Sequence, residues 1–295
     1  MTWLWWLGLV VGVSVLAVVG LHLLGEKRWA ELVLTHTGQL NSARVDVGEP
    51  KPLAVRFHFS ELAGLPAPVQ RYFRTVLEDG QPIIRAASID MQGTINMSAK
   101  GEQWKAFSST QRAVNAGSGL RPGYLWNATV RMFPGVPARV EDSYIAGQGQ
   151  LIAKLFGLFT VAQERGGGEL ARGEFMRYFA EAVWYPTALL PSQGVRWQAA
   201  GVASALATIA DGPITLTLLF RFNEAGLVSS VHADARGAGV GKDMVMLPWE
   251  CSLSDYQPQD GMLIPMTGKV AWMHSEGRKP YFAGHVKKLN YVFFP

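Results

Sequence analysis

From residue 83 onward the chain alternates apolar and polar positions, and it does so repeatedly between short turns. In IIRAASIDMQGTINM, Ile83, Ala87, Ile89, Met91, Ile95 and Met97 share one side of a period of two, while Ser88, Asp90, Gln92, Thr94 and Asn96 share the other. That spacing belongs to a half-buried strand, because successive side chains of a strand point to opposite faces. The pattern returns in QWKAFSSTQRAV, YLWNATVRMF and ARVEDSYIAG, and again seven times between VRWQAAG and KPYFAGHVKKLNYVFF. Gly, Pro, Asn and Asp punctuate the gaps, as in FPGVP, ADGP, NEAG and QPQDG. Gaps this short permit only antiparallel neighbours, since a parallel pair needs a crossover of a dozen or more residues.

Two segments break the period. LPAPVQRYFRTVL places Val69, Tyr72, Phe73, Val76 and Leu77 on one helical face, with Pro66 and Pro68 suited to a first turn. A second helix is expected near 169–183. The fold class is therefore α+β: a large bent antiparallel sheet with helices near 65–79 and 169–183 against it. The sheet, with its helices, occupies residues 61–295 as one domain. An apolar face running along about eleven strands is more than two short helices can cover, and an exposed one is prone to aggregate. A sheet curled into a half-barrel faces itself and leaves a pocket or groove where cover runs out.

Ahead of the sheet, Trp3 to Leu24 carries no formal charge. As a helix it measures about 33 Å at about 1.5 Å per residue, enough for a hydrocarbon core of about 30 Å. Residues 1–25 read as an uncleaved single-pass transmembrane anchor in the cell membrane, with Trp3, Trp5 and Trp6 at one end and Trp29 at the other as an interfacial belt. A signal peptide would want a basic start and a small-residue cleavage site, and neither is present. The side on which the domain lies stays open. Residues 26–60 read as a juxtamembrane connector. Gly8 and Gly12 form a GxxxG pair, through which a homodimer is one expectation.

Composition removes several function classes. The net charge is +4 over 295 residues without a basic run, which gives nucleic-acid binding no support. One cysteine, Cys251, precludes an internal disulfide or a multi-cysteine metal site. Six histidines show no i, i+3 or i+4 pairing, so no metal is expected, and no cofactor either. GAGVGK, from Gly237 to Lys242, mimics a phosphate loop, but Arg236 stands where its first glycine belongs, Asp243 follows the lysine, and a strand comes next. It reads as a hairpin connection.

The remaining candidate is FMRYFAEAVWYPTALLP. Glu174, Arg177, Glu181 and Trp184 lie along one helical stripe among rings. Charges in such surroundings want partners, because an isolated buried charge is costly. Arg177 and Glu181 pair at i, i+4, with Asp142 or Arg131 from neighbouring strands as further partners. The candidate ligand-binding or structural network is Asp142, Arg131, Arg177, Tyr178, Glu181 and Trp184.

LPAPVQRYFR, RPGYLWNATVRMFPGV, EDSYIAGQGQL and MRYFAEAVWYPTALLP with the following GVRW resemble an uncharacterised bacterial family bearing a domain-of-unknown-function label, over roughly residues 65 to 250. The resemblance implies no activity. Arg177, Tyr178, Glu181, Trp184, Pro186 and Trp197 fall in its motif. The inferred architecture also resembles, by analogy of shape, the periplasmic carrier fold for lipoproteins and lipids. The function expected is a membrane-anchored, non-enzymatic domain binding a lipid or other hydrophobic ligand on its concave face. The alternatives are an enzyme acting on a membrane-derived substrate through Glu181 or Asp142, and a membrane-associated scaffold.

Overall fold

The structure is a computed structural model and describes residues 2–44, 54–98, 101–117, 119–240 and 243–295. Residues 45–53 of the expected connector, and Gly241 and Lys242 of the GAGVGK stretch, lie outside the described residues. Helix α1 (Thr2–Ser42) comes first, then α2 (Ala67–Val76). Six strands follow: β1 (Ile84–Asn96), β2 (Trp104–Val114), β3 (Gly123–Phe133), β4 (Val136–Ile145), β5 (Gln148–Leu155) and β6 (Phe159–Gly166). After α3 (Gly168–Ala180) come β7 (Arg196–Gly201), β8 (Ser204–Asp211), β9 (Ile214–Phe222), β10 (Val228–Val240), β11 (Asp243–Gln259), β12 (Met262–His274) and β13 (Gly277–Phe293).

Among the described residues thirteen strands form one sheet in the order β6-β5-β4-β3-β2-β1-β13-β12-β11-β10-β9-β8-β7. Every pairing is antiparallel. The sheet is open, since β6 and β7 are its two edges. Those edges are consecutive in sequence, so residues 167–195 must cross from one to the other. They do so over the concave face, and the crossing fills much of it.

That crossing explains the aromatic stretch. Phe175, Tyr178, Phe179, Val183, Tyr185 and Leu189 are all buried. Tyr144 stacks on Phe175 at 4.8 Å, and Phe175 on Tyr178 at 5.9 Å. Each such ring contributes about 1.5–3 kcal/mol by leaving water. The expected helix near 169–183 ends at Ala180. Short 3-10 turns follow over Glu181–Trp184, Pro186–Leu189 and Pro191–Gln193, because the prolines supply no N–H to continue an α-helix. α2 is shorter than the expected 65–79, yet buries the face foreseen, Val69, Tyr72, Phe73 and Val76.

The outer face holds the main departure. α1 does not stop near residue 25; it continues to Ser42 and lies against the convex side of the sheet. Leu40 packs there with Ala86, Val114, Leu120 and Leu125. Ala86 is therefore buried although its neighbour Ala87 faces the concave core. Trp29 is 3% exposed and donates from Nε1 to Asn127 Oδ1 at 2.8 Å, so it belongs to the domain and not to an interfacial belt. His36 Nδ1 meets the buried Glu141 at 2.6 Å, and Gln150 donates to the same oxygen at 2.9 Å. The stretch of α1 before Gly25 touches little: it is long and apolar enough to cross a membrane, and none of its most apolar window is buried. Gly8 and Gly12 both face open space there.

Candidate functional site

Where the crossing segment ends its cover, a cavity of about 240 Å³ remains on the concave face. It runs from Trp184, Cys251 and Gly268 in mid-sheet toward Ile95 and Gly239 near the hairpin ends of β1 and β10. Its apolar lining is Ile95, Trp126, Trp249, Val270, Trp272 and Phe282. Its polar lining is a cluster of five acidic and basic side chains, Asp142, Glu174, Glu181, Arg177 and Arg236, together with the Tyr281 hydroxyl.

Arg177 is the hub. It projects from the last turn of α3 and donates from Nε to Glu181 Oε1 at 2.8 Å and from Nη1 to Asp142 Oδ2 at 2.9 Å. Its guanidinium lies over the rings of Trp126 at 4.9 Å and Tyr124 at 5.1 Å. Gln111 donates to the second Glu181 oxygen at 2.7 Å. Burial pulls the Arg177 pKa down, but Glu181, Tyr124, Asp142 and Glu174 more than offset it, so the group stays charged above its ordinary value. Burial, with Glu174 nearby, pushes Asp142 up to about 7 against the pull of Arg177. Asp142 is thus a carboxyl group that exchanges its proton near neutrality.

Arg236 is held differently. Its guanidinium lies over two neighbouring rings, 5.0 Å from Trp249 and 5.8 Å from Trp272. Its polar contacts are long: Nη1 donates to Tyr281 O–H at 3.4 Å, and Nη2 lies 3.9 Å from Glu174. Nε is buried without a partner. Glu174 takes its close hydrogen bond from Tyr124 instead. Nε faces the α3 backbone at Gly173, so it is the two Nη groups, with contacts of 3.4 and 3.9 Å, that are loosely held.

The structure thus brings together Asp142, Arg177, Glu181 and Trp184 from the expected group. Trp184 forms part of the floor and is pinned by donating to Pro265 O at 2.7 Å. Tyr178 belongs to the core below, donating to Asn115 Oδ1 at 3.0 Å. Arg131 does not join. Tyr124, Trp126, Ala128 and Val130 point inward from β3, so alternation turns Arg131 outward, where it is exposed. Arg236 was not foreseen, for a physical reason. A β-bulge between Ala233 and Arg236 inserts one residue and swaps the faces of β10, leaving Ala235 exposed and Arg236 buried. Of GAGVGK, Gly237 to Val240 are the end of β10, with Gly239 opposite Met244, and Gly237, Ala238 and Gly239 line the cavity.

Other chemistries find less here. Cys251 lines the cavity, but burial pushes its thiol up to about 12, so it carries no thiolate near neutral pH. Among the described residues no three His, Cys, Asp or Glu side chains converge as metal ligands.

Fold and site together define an open antiparallel half-sheet whose concave face is partly plugged and partly hollow, with a buried ionic cluster at the hollow's end. The chain belongs to a family of unknown function (DUF6920), whose model matches residues 63–291 and so includes the last strands as well as the aromatic crossing. No curated protein matches it. Among solved structures, a β-barrel-like protein of domain of unknown function DUF1849 from Brucella abortus is 12% identical, with a TM-score of 0.23 over 71% of this chain and 99% of that one. A porin-like protein from Bacteroides uniformis is 6% identical, with a TM-score of 0.24 over 72% of this chain and 98% of its own. At such TM-scores neither likeness bears on function.

Proposed function

We propose that the domain binds an amphipathic ligand and that α1 anchors it in the membrane from which that ligand comes. The ligand's apolar part lies against Trp126, Val270, Trp272 and Phe282, and its polar head reaches the ionic cluster. The carrying observation is Arg236: a buried guanidinium over two indole rings, with long polar contacts, at the wall of an apolar hollow. A head group with acceptor oxygens pairs with the Nη groups, whose contacts within the protein are 3.4 and 3.9 Å long. At about 240 Å³ the hollow is just below the usual range of about 300–1,000 Å³, so it suits one chain or head group and not a whole two-chain lipid.

The test is native mass spectrometry of the full chain released from mild detergent. A bound amphiphile is expected on the unaltered protein and is expected to be lost in Ala238→Phe, which fills the cavity from its wall. Equal occupancy in both, or none in either, would remove the support for this reading.

One observation favours a second reading. Asp142, held near a pKa of 7 beside a cavity, has the protonation behaviour of a general acid or base. In that case Asp142→Asn abolishes turnover of a membrane-derived substrate with little loss of binding.

A further inference from the structure

The β5–β6 turn sits on α1 at the point where its uncharged run ends. A Cβ on Gly25 would lie 1.7 Å from the backbone oxygen of Phe156, and one on Gly157 would lie 2.7 Å from that of Gly25. Only glycine at position 25 allows so close an approach. Trp3 to Leu24 is the apolar stretch, so this turn is fixed within about one helical turn of its end.

Antiparallel order gives β1, β3, β5, β8, β10 and β12 the same sense; the end of β8 folds over to Arg121 and Tyr144, and the ends of the other five form the rim. Exposed apolar side chains collect at that rim. Phe133 at the β3–β4 turn is 66% exposed and Phe159 after the β5–β6 turn is 55% exposed; Met97 and Val161 are exposed nearby. Elsewhere on the described sheet domain Val55, Val202 and Val292 are exposed singly, as is ordinary for a protein surface.

The β10–β11 arm is the most telling part of this rim. β11 first pairs with β12 at Trp249, and β10 last pairs with β9 at His232. From Arg236 opposite Leu247 to Val240 opposite Asp243, the arm is a two-stranded ribbon with no further strand paired to it among the described residues. Such ribbons are marginal in water, and free edges are normally guarded by charges. Here Met244, Val245 and Met246 are exposed in succession, which puts apolar groups on both faces of the ribbon. The same ribbon walls the cavity through Gly237, Ala238 and Gly239. Basic groups accompany the rim. Lys27 and Arg28 are exposed on α1 just beyond Gly25, and Lys105 Nζ lies 5.2 Å from the Phe133 ring.

We infer that this rim seats on the surface of the bilayer that α1 spans, with Phe133, Phe159 and the Met244–Met246 ribbon immersed in the interface and the cavity mouth turned toward the lipid. The inference rests on reading α1 as a membrane span. It adds that the ligand passes between bilayer and cavity without crossing water, and that the basic groups meet anionic head groups.

Site-directed spin labelling of the full chain in phosphatidylcholine–phosphatidylglycerol vesicles tests it. Labels go on Phe133→Cys, Phe159→Cys and Met244→Cys, with Val202→Cys at the far end and Val13→Cys within α1; Cys251 is buried and stays in place. Collision with oxygen is expected to exceed collision with a water-soluble nickel chelate at all three rim sites and at position 13, and the order is expected to reverse at 202. If two or more rim labels behave like position 202 while position 13 reads as hydrocarbon, the rim stands clear of the membrane and the inference fails alone. If position 13 itself reads as water, the inference falls together with the anchor. Ligand capture by the cavity is measured separately and depends on neither result.

Discussion

Arg177 and Arg236 are both buried cations beside carboxylates, yet removing them is expected to have different consequences. In Arg177→Met, Glu181 and Asp142 lose charged hydrogen bonds of 2.8 and 2.9 Å and stay behind in a largely buried site. Breaking a buried pair from one side costs about 3–5 kcal/mol. At about 2–4 °C per kcal/mol for a domain of this order, Tm falls by about 6–20 °C. In Arg236→Met the losses are two ring contacts, at about 0.5–2 kcal/mol each, one long hydrogen bond worth about 1 kcal/mol, and the 3.9 Å ion pair with the buried Glu174. Against them stand relief of the unpartnered Nε, about 1–3 kcal/mol, and a sulfur chain that still packs on two indoles. The relief offsets part of the loss, so Tm is expected to fall by less than in Arg177→Met. Capture of an anionic amphiphile, however, is expected to fall at least tenfold. Thermal unfolding by circular dichroism on the full chain in detergent, paired with ligand capture on the same samples, reads both quantities. If Arg236→Met destabilises as strongly as Arg177→Met and leaves capture unchanged, Arg236 is a structural tie and the reasoning about its loosely held Nη groups is wrong.

Stability is also expected to depend on pH through Asp142. Its folded pKa, up to about 7, lies above the ordinary carboxylate value near 4, so the folded state holds the extra proton between them and stability falls as pH rises from about 4 to 7. A fifth of the side chain still reaches solvent, which reduces the effect to about 1–2 kcal/mol; Asp142→Asn should flatten the profile of Tm against pH in that window. Gly25→Ala forces α1 away from the Phe156 oxygen at a cost of about 1–3 kcal/mol, and limited proteolysis should then open the β5–β6 turn faster. An unchanged cleavage rate would mean that α1 and the sheet are not docked there.

The sequence carried most of the framework because the concave core obeys simple periods. Val69, Tyr72, Phe73 and Val76 mark α2 at helical spacing, and Ile89 and Met91 mark the inner face of β1. What stayed hidden was hidden by contacts that local periodicity does not encode. β5 and β6 went unseen because β6 is an edge strand exposed along nearly its whole length, and no burial imprints alternation on it. The docked half of α1 was read as connector because its partners, Leu120 and Leu125 among them, lie far away in sequence on the outer face of the sheet. Of the site, the pair Arg177–Glu181 was legible from its i, i+4 spacing and Asp142 from its strand. Arg131 was misplaced by the parity of β3, and Arg236 was concealed by one bulge. A single inserted residue turned the end of the strand LVSSVHADAR inward and set Arg236 in the cavity wall.

The central claim is that the hollow beside Arg236 holds a hydrophobic chain. Photo-crosslinking of the full chain in membranes with a diazirine-bearing fatty acid, followed by peptide mapping, tests this most directly. Adducts on the peptides carrying Val270, Trp272 and Phe282 are expected, and they should diminish in Ala238→Phe. Adducts confined to the apolar half of α1, with the cavity peptides unmarked, would contradict the claim.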